Sequence, residues 1–161
     1  MRSAKALLVF LLLVLFFLTS CGDSKTTSGP STSPKGPTNS TVVSLVALVN
    51  SHRADIGCPA LIWDGPLADV ATAHSEEMKE NNYLNHTDLS GNSPFDRMVA
   101  AGITFSAAAE NIAMDDQGAQ STFDAWMNSA GHKANIENCT YTHHGVGLVG
   151  AYWTHMFMLP N

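Results

Sequence analysis

Residues 145–159, GVGLVGAYWTHMFML, are where the chain changes period. Val146 and Leu148, then Trp153, His155 and Phe157, fall at every second position, the spacing of one face of a strand. Gly145, Gly147 and Gly150 flank them, which predicts two strands joined by a hairpin at Gly150-Ala151. Upstream the apolar residues recur at helical spacing instead. Val42, Leu45, Val46, Val49 and Ile56 form a first helix, with Ser40 or Thr41 as its cap and Gly57 as its end. Cys58 to Asp64 reads as a short connection. Asp64 or Gly65 then caps a second helix with Pro66 in its first turn and the stripe Leu67, Val70, Ala71, His74, Met78. That helix runs out at Asn81-Asn82, and Tyr83 to His86 is an irregular exit. Ser93-Pro94 opens a short helix through Phe95, Met98 and Val99 that stops at Gly102. The small residues Ser106 to Ala109 lead into Glu110-Asn111-Ile112-Ala113. A fourth helix carries Phe123, Trp126, Met127 and Ala130, and a further turn begins at Gly131-His132. Helices first and strands last, with no βαβ alternation, predict an α+β domain on an antiparallel sheet.

The N-terminus sets the compartment. Arg2 and Lys5 precede an unbroken apolar run of thirteen residues, Ala6 to Leu18, which is signal-peptide length and short for a bilayer span. It leads through Leu18-Thr19-Ser20 into Cys21, a segment that resembles the lipobox of bacterial lipoproteins. Residues 1–20 are therefore expected to be a lipoprotein signal peptide and Cys21 the lipidated mature N-terminus. Acyl chains there would hold the protein on a membrane of the cell envelope, the outer membrane if the cell has one. Residues 21–40 have no large apolar side chain and read as a Ser/Thr/Pro/Gly tether without stable contacts, leaving 41–161 as the domain. From residue 41 onward four Lys/Arg stand against thirteen Asp/Glu, a charge of −9, which disfavours nucleic acid as a partner. With Cys21 lipidated, Cys58 and Cys139 remain. In an exported domain they read as one disulfide closing a long loop, the alternative being two separate buried thiols.

The residues that can carry chemistry are His74, His86, Glu110 and His132. His74 lies on an apolar stripe, as a hydrogen-bonded core histidine does. His86 can close the loop after the second helix, and His132 can cap its own short helix. Glu110 sits among small uncharged residues, where a buried carboxylate needs a cationic or hydrogen-bonding partner. His143-His144 read as an exposed loop pair without a role, and His52 as a solvated helix position.

Taken in order, WDGPLADVATAHSEEM (63–78), YLNH (83–86), RMVAAGITF (97–105), AENIA (109–113), WMNSAGHKANI (126–136), GVG (145–147) and YWTHMF (152–157) resemble the bacterial branch of the CAP superfamily. Cysteine-rich secretory proteins, insect venom antigen five and plant pathogenesis-related proteins of the first class belong to it. The resemblance covers about residues 44–158. It implies a three-layer α-β-α sandwich with a central antiparallel sheet, and a cleft holding two histidines and up to two acids. By motif these fall on His86, Glu110 and His132. The second acid of eukaryotic relatives would fall at Ser129, so the tetrad is a triad with Ser129 at its rim. Relatives commonly carry Thr-Gln where this chain has Thr154-His155; a cleft-facing His155 would add a third imidazole.

Two imidazoles and a carboxylate suit a divalent cation such as zinc, with water in the remaining position. They equally suit a hydrogen-bonded trio in which Glu110 fixes one imidazole's tautomer. No G-x-S-x-G or H-E-x-x-H supplies a nucleophile or a zincin pair, the cysteines are committed elsewhere, and no cofactor motif is present. The sequence thus favours a binding module for a lipid, an envelope component, a small molecule or a partner protein over an enzyme. A metal-dependent hydrolase using His86, Glu110 and His132, and a structural envelope protein, are the alternatives.

Overall fold

Both layers of the molecule are built on β4 (Tyr152–Pro160), a strand whose residues are buried on both of its faces almost to its end. The computed structural model describes residues 36–161; the expected signal peptide, Cys21 and most of the expected tether lie outside the described residues. Before β4 the chain forms α1 (Ser40–Asp55), β1 (Ile62–Trp63), α2 (Gly65–Asn81), α3 (Pro94–Ala100), β2 (Phe105–Met114), α4 (Ala119–Met127), α5 (Ala130–Glu137) and β3 (His143–Val149). The sheet order is β1-β3-β4-β2, antiparallel except where the two-residue β1 runs parallel to β3. This is the expected sandwich. The β3–β4 hairpin turns where the glycines predicted it, with Gly150 at φ 62°, a conformation glycine adopts without steric cost.

Register sorts the side chains between the two faces, because directly opposed residues share a face. His144, Phe157 and Ala109 form one row, Val146, His155 and Asn111 the next, and Leu148, Trp153 and Ala113 a third. These rows pack against Val42, Leu45 and Val49 of α1, Trp126 of α4 and Ile136 of α5. On the other face lie Gly145, Met156 and Glu110, then Gly147, Thr154 and Ile112. Here α2 covers the sheet through Leu67, Ala71 and Met78, and α3 adds Met98. α2 comes so close to β3 that a Cβ on Gly145 would strike the backbone of Leu67 and Ala68. One on Gly147 would strike that of Ala71 and Thr72.

Several expectations change. The cap of α1 is Asn39, whose side chain accepts from the amides of Thr41 and Val42, so neither Ser40 nor Thr41 is the cap. Residues 36–39 border a cavity with Trp63, Asp69 and Leu148, so the last part of the tether touches the domain. Ala130 begins α5 and does not end α4. The small residues Ser106 to Ala109 belong, with Glu110 to Ala113, to the ten-residue strand β2. The helix starts at Asp64 and Ser93 hold: Asp64 accepts from the Leu67 amide, and Ser93 forms a capping box with Asp96.

Cys58 and Cys139 form a disulfide across a separation of 81 residues. Beside it the buried Arg53 donates to the carbonyls of Pro59, Ile136, Asn138 and Tyr141. His52 is half-buried and hydrogen-bonded to Glu137 at 2.9 Å, correcting its reading as a solvated position. Disulfide, Arg53 and His52 all tie the exit of α1 to the exit of α5.

Candidate functional site

The site forms at the sheet edge, where β2 leaves one side unpaired. Outward-facing carbonyls of β2 are capped by side chains: Ala108 by the Tyr141 hydroxyl, Glu110 by Asn135, Ile112 by the Trp126 indole. Those side chains bring α5 and the segment after it to one flank of the edge. The other flank is the 82–93 loop and α3. That loop is pinned from beneath. His74 hydrogen-bonds the Asn85 carbonyl at 2.8 Å, and Glu77 accepts from the Tyr83 hydroxyl and the Leu89 amide. Burial and the bond to Glu77 push the Tyr83 phenol up, and burial holds His74 below the usual histidine range, with Arg97 adding to the effect. A neutral His74 that donates from Nε2 is thus a core histidine, as its stripe position predicted.

At the centre is Glu110, whose side chain is 1% exposed. One of its oxygens lies 2.8 Å from His86 Nδ1, and the other accepts from Arg97 at 2.6 Å. Arg97 also donates to the His86 carbonyl at 2.8 Å, fixing the backbone whose ring Glu110 orients. Arg97 is 11% exposed and His86 49%, so the group is a buried carboxylate with a solvent-facing imidazole on top. With Nδ1 turned into Glu110, His86 presents Nε2 outward. His86, Glu110 and Asn135 share a cavity of about 400 Å³ with Pro94, Phe95, Ala108, Ala109 and Tyr141, a polar floor between apolar walls.

His132 is not in that group. It sits on α5, with its ring 6.5 Å from Trp126 and no hydrogen bond to Glu110 or His86 among the described residues. Its carbonyl is held by Asn111, and burial, then the nearby His86, holds its pKa below the ordinary range. Ser129 stands at the N-cap of α5 without a side-chain cap bond and does not line the cavity. His155 is fully buried, as is His144, which corrects the reading of His144 as a loop residue; neither faces the groove. Among the described residues no three His, Cys, Asp or Glu side chains assemble as a metal-ligand set. The carboxylate proposed as a zinc ligand already serves a guanidinium and an imidazole. As arranged, His86 and Glu110 form a hydrogen-bonded pair with Arg97 in the third place, and His132 completes neither the hydrogen-bonded trio nor a three-ligand set. Sequence reasoning missed Arg97, although it is one of only four Lys/Arg in the domain and Glu110 called for a cationic partner.

Residues 46–156 match the family of cysteine-rich secretory proteins, CAP. The chain belongs to the CAP family. It is 41% identical over 116 residues to the uncharacterized protein YkwD of Bacillus subtilis, covering 71% of this chain and 45% of that protein. It is 40% identical over 114 residues to the uncharacterized membrane protein YlbC of the same organism, covering 71% and 33%. The chain thus spans less than half the length of these curated relatives. Among solved structures, an extracellular SCP-domain protein from Bacillus anthracis superposes with a TM-score of 0.72 at 31% identity, over 78% of this chain and 45% of that one. An outer surface protein of Borrelia burgdorferi superposes with a TM-score of 0.72 at 22% identity, over 78% and 96%, a likeness of fold.

Proposed function

We propose that this CAP-domain chain is an exported lipoprotein, anchored to the cell envelope through Cys21, whose groove beside β2 binds a ligand with an apolar body and a hydrogen-bonding head. The carrying observation is that both oxygens of Glu110 are taken, one by His86 and one by Arg97. A carboxylate so engaged is a poor general base or nucleophile, but it is well placed to hold an imidazole in one tautomer. His86 Nε2 then offers an acceptor to a ligand hydroxyl or amide. Phe95, Pro94, Ala108 and Tyr141 supply apolar contact around it. Leu84 and Leu89, which flank His86 in sequence, are exposed, as are Phe95 and Val99 on α3. Phe95 lines the cavity beside His86, and exposed apolar side chains on the adjoining loop and helix favour a ligand-binding surface over a purely structural one. The names of relatives, extracellular, outer-surface and membrane proteins, agree with an envelope location. The acidic domain argues against nucleic acid.

The test is retention of envelope lipids and small molecules by the purified chain, with mass spectrometry of what coelutes after gel filtration. Retention should fall about tenfold in His86→Ala and in Phe95→Ala, the scale of losing one well-buried contact. Equal retention by wild type and both variants would overturn the groove as the binding site.

A further inference from the structure

β3 and β4 carry a second pair of imidazoles that the groove does not use. His144 Nδ1 and His155 Nε2 lie 3.0 Å apart, and both residues are completely buried. The outer nitrogens, His144 Nε2 and His155 Nδ1, have no hydrogen-bond partner among the described residues. Two neutral rings joined by one hydrogen bond leave one outer N–H and one outer lone pair. Adding a proton leaves two outer N–H groups and a buried charge, all unsatisfied.

The surroundings offer that charge nothing. From α1 the buried Arg53 repels it, and on β3 so does His143 when protonated. From β1 comes Trp63, 5.8 Å from His144; from α4 comes Trp126, 5.7 Å from His155; within β4 the Phe157 ring lies 3.9 Å from His155. β2 presents Asn111 opposite His155, and α5 contributes Ile136 to the same core. The one buried carboxylate among the described residues, Glu110, belongs to the other face of the sheet. Burial first, then Arg53 and His143, pushes His144 down to about 3, and burial first, then His144 and Arg53, holds His155 well below the usual histidine range.

We propose that the His144–His155 pair is an acid-sensitive latch for the α4–α5 layer. His155 lies under Trp126, and its neighbour Asn111 holds the His132 carbonyl and is bonded to Asn135. Lifting α4 and α5 to hydrate the pair therefore moves His132 and Asn135 away from the edge of the groove. Above about pH 6.5 both the closed and the opened forms are neutral, and the pair has no pH effect. Below it only the opened form takes up protons, so closure weakens as pH falls towards the closed-state values. Between pH 7 and 5 the opening equilibrium should rise about 25-fold for each histidine that becomes hydrated.

Hydrogen exchange on the full chain tests this, after correction for the intrinsic pH dependence of exchange. Protection of α4 and α5 amides should fall at least about 25-fold between pH 7 and 5, while α2 amides on the opposite face fall less. A His144→Gln, His155→Gln double variant should lose most of that pH dependence. An unchanged dependence in the variant, or an equal loss in α2, overturns the latch. If the variant does not fold, ring-nitrogen NMR of the wild type decides. Two neutral imidazoles in the native protein at pH 5 support the proposal, and either ring protonated with native shifts retained overturns it.

Discussion

Glu110 shows how one buried carboxylate organises a surface. Its two bonds divide the work: Arg97 balances its charge and anchors the loop backbone, while His86 receives its orientation. Deleting Arg97 would strand a carboxylate that is 1% exposed. Breaking such a pair from one side costs about 3 kcal/mol, because the remaining charge stays desolvated. Arg97→Ala should therefore lower the unfolding free energy by about that amount in urea titrations. Arg97→Lys should recover only part, since an ammonium cannot span Glu110 and the His86 carbonyl with planar, divergent donors. A loss under about 1 kcal/mol for the alanine variant would mean that Glu110 finds another partner or a proton. This arrangement was half legible in the sequence. AENIA marks a carboxylate among small residues and so a need for compensation. That the partner comes from thirteen residues upstream depends on α3 docking beside β2, which no local pattern records.

Among the elements, those announced by end signals were readable and those made by their surroundings were not. Asp64 and Ser93, each placed before a first-turn proline, start helices as expected. β2 has the sequence FSAAAENIAM, poor in β-branched residues, and it is a strand because it completes a sheet packed on both sides. The same two-sided burial misled the reading of His143-His144: polar residues in a strand look like loop until both faces are covered. The close approach of α2 to β3 was likewise present in GVG without being decipherable as such. Gly147→Ala would drive a Cβ into the Ala71–Thr72 backbone, which cannot yield as a side-chain tip can. A loss of about 3 kcal/mol in unfolding free energy is expected, and a neutral substitution would show that α2 shifts readily. The disulfide between the exits of α1 and α5 closes a separation of 81 residues. Its reduction should cost about 4 kcal/mol in the chain-entropy treatment. Melting with and without reductant measures this, and unchanged melting would mean that Arg53 and its four carbonyl bonds already hold the junction.

For the whole molecule, the proposed envelope location sets a −9 domain with exposed apolar side chains against a membrane surface. Anionic bilayers repel such a domain, so the groove alone would not retain it there. In the proposed anchoring, Cys21, behind a thirteen-residue apolar run and ahead of a segment rich in Ser, Thr and Pro, would supply the means. Diacylated, it contributes about 0.8 kcal/mol per buried methylene, so two chains make release negligible over a cell's lifetime. Expressed from its own N-terminus in a bacterium, the wild-type chain should fractionate with membranes, resist high salt and be released by detergent. Cys21→Ser should abolish the lipid mass on the mature N-terminus and either leave the chain soluble in the exported fraction or hold it by its uncleaved leader. Intact mass separates those two states, and both agree with lipidation at Cys21. Wild-type protein washed from membranes by salt, or a mature mass without acyl chains, would overturn the anchor.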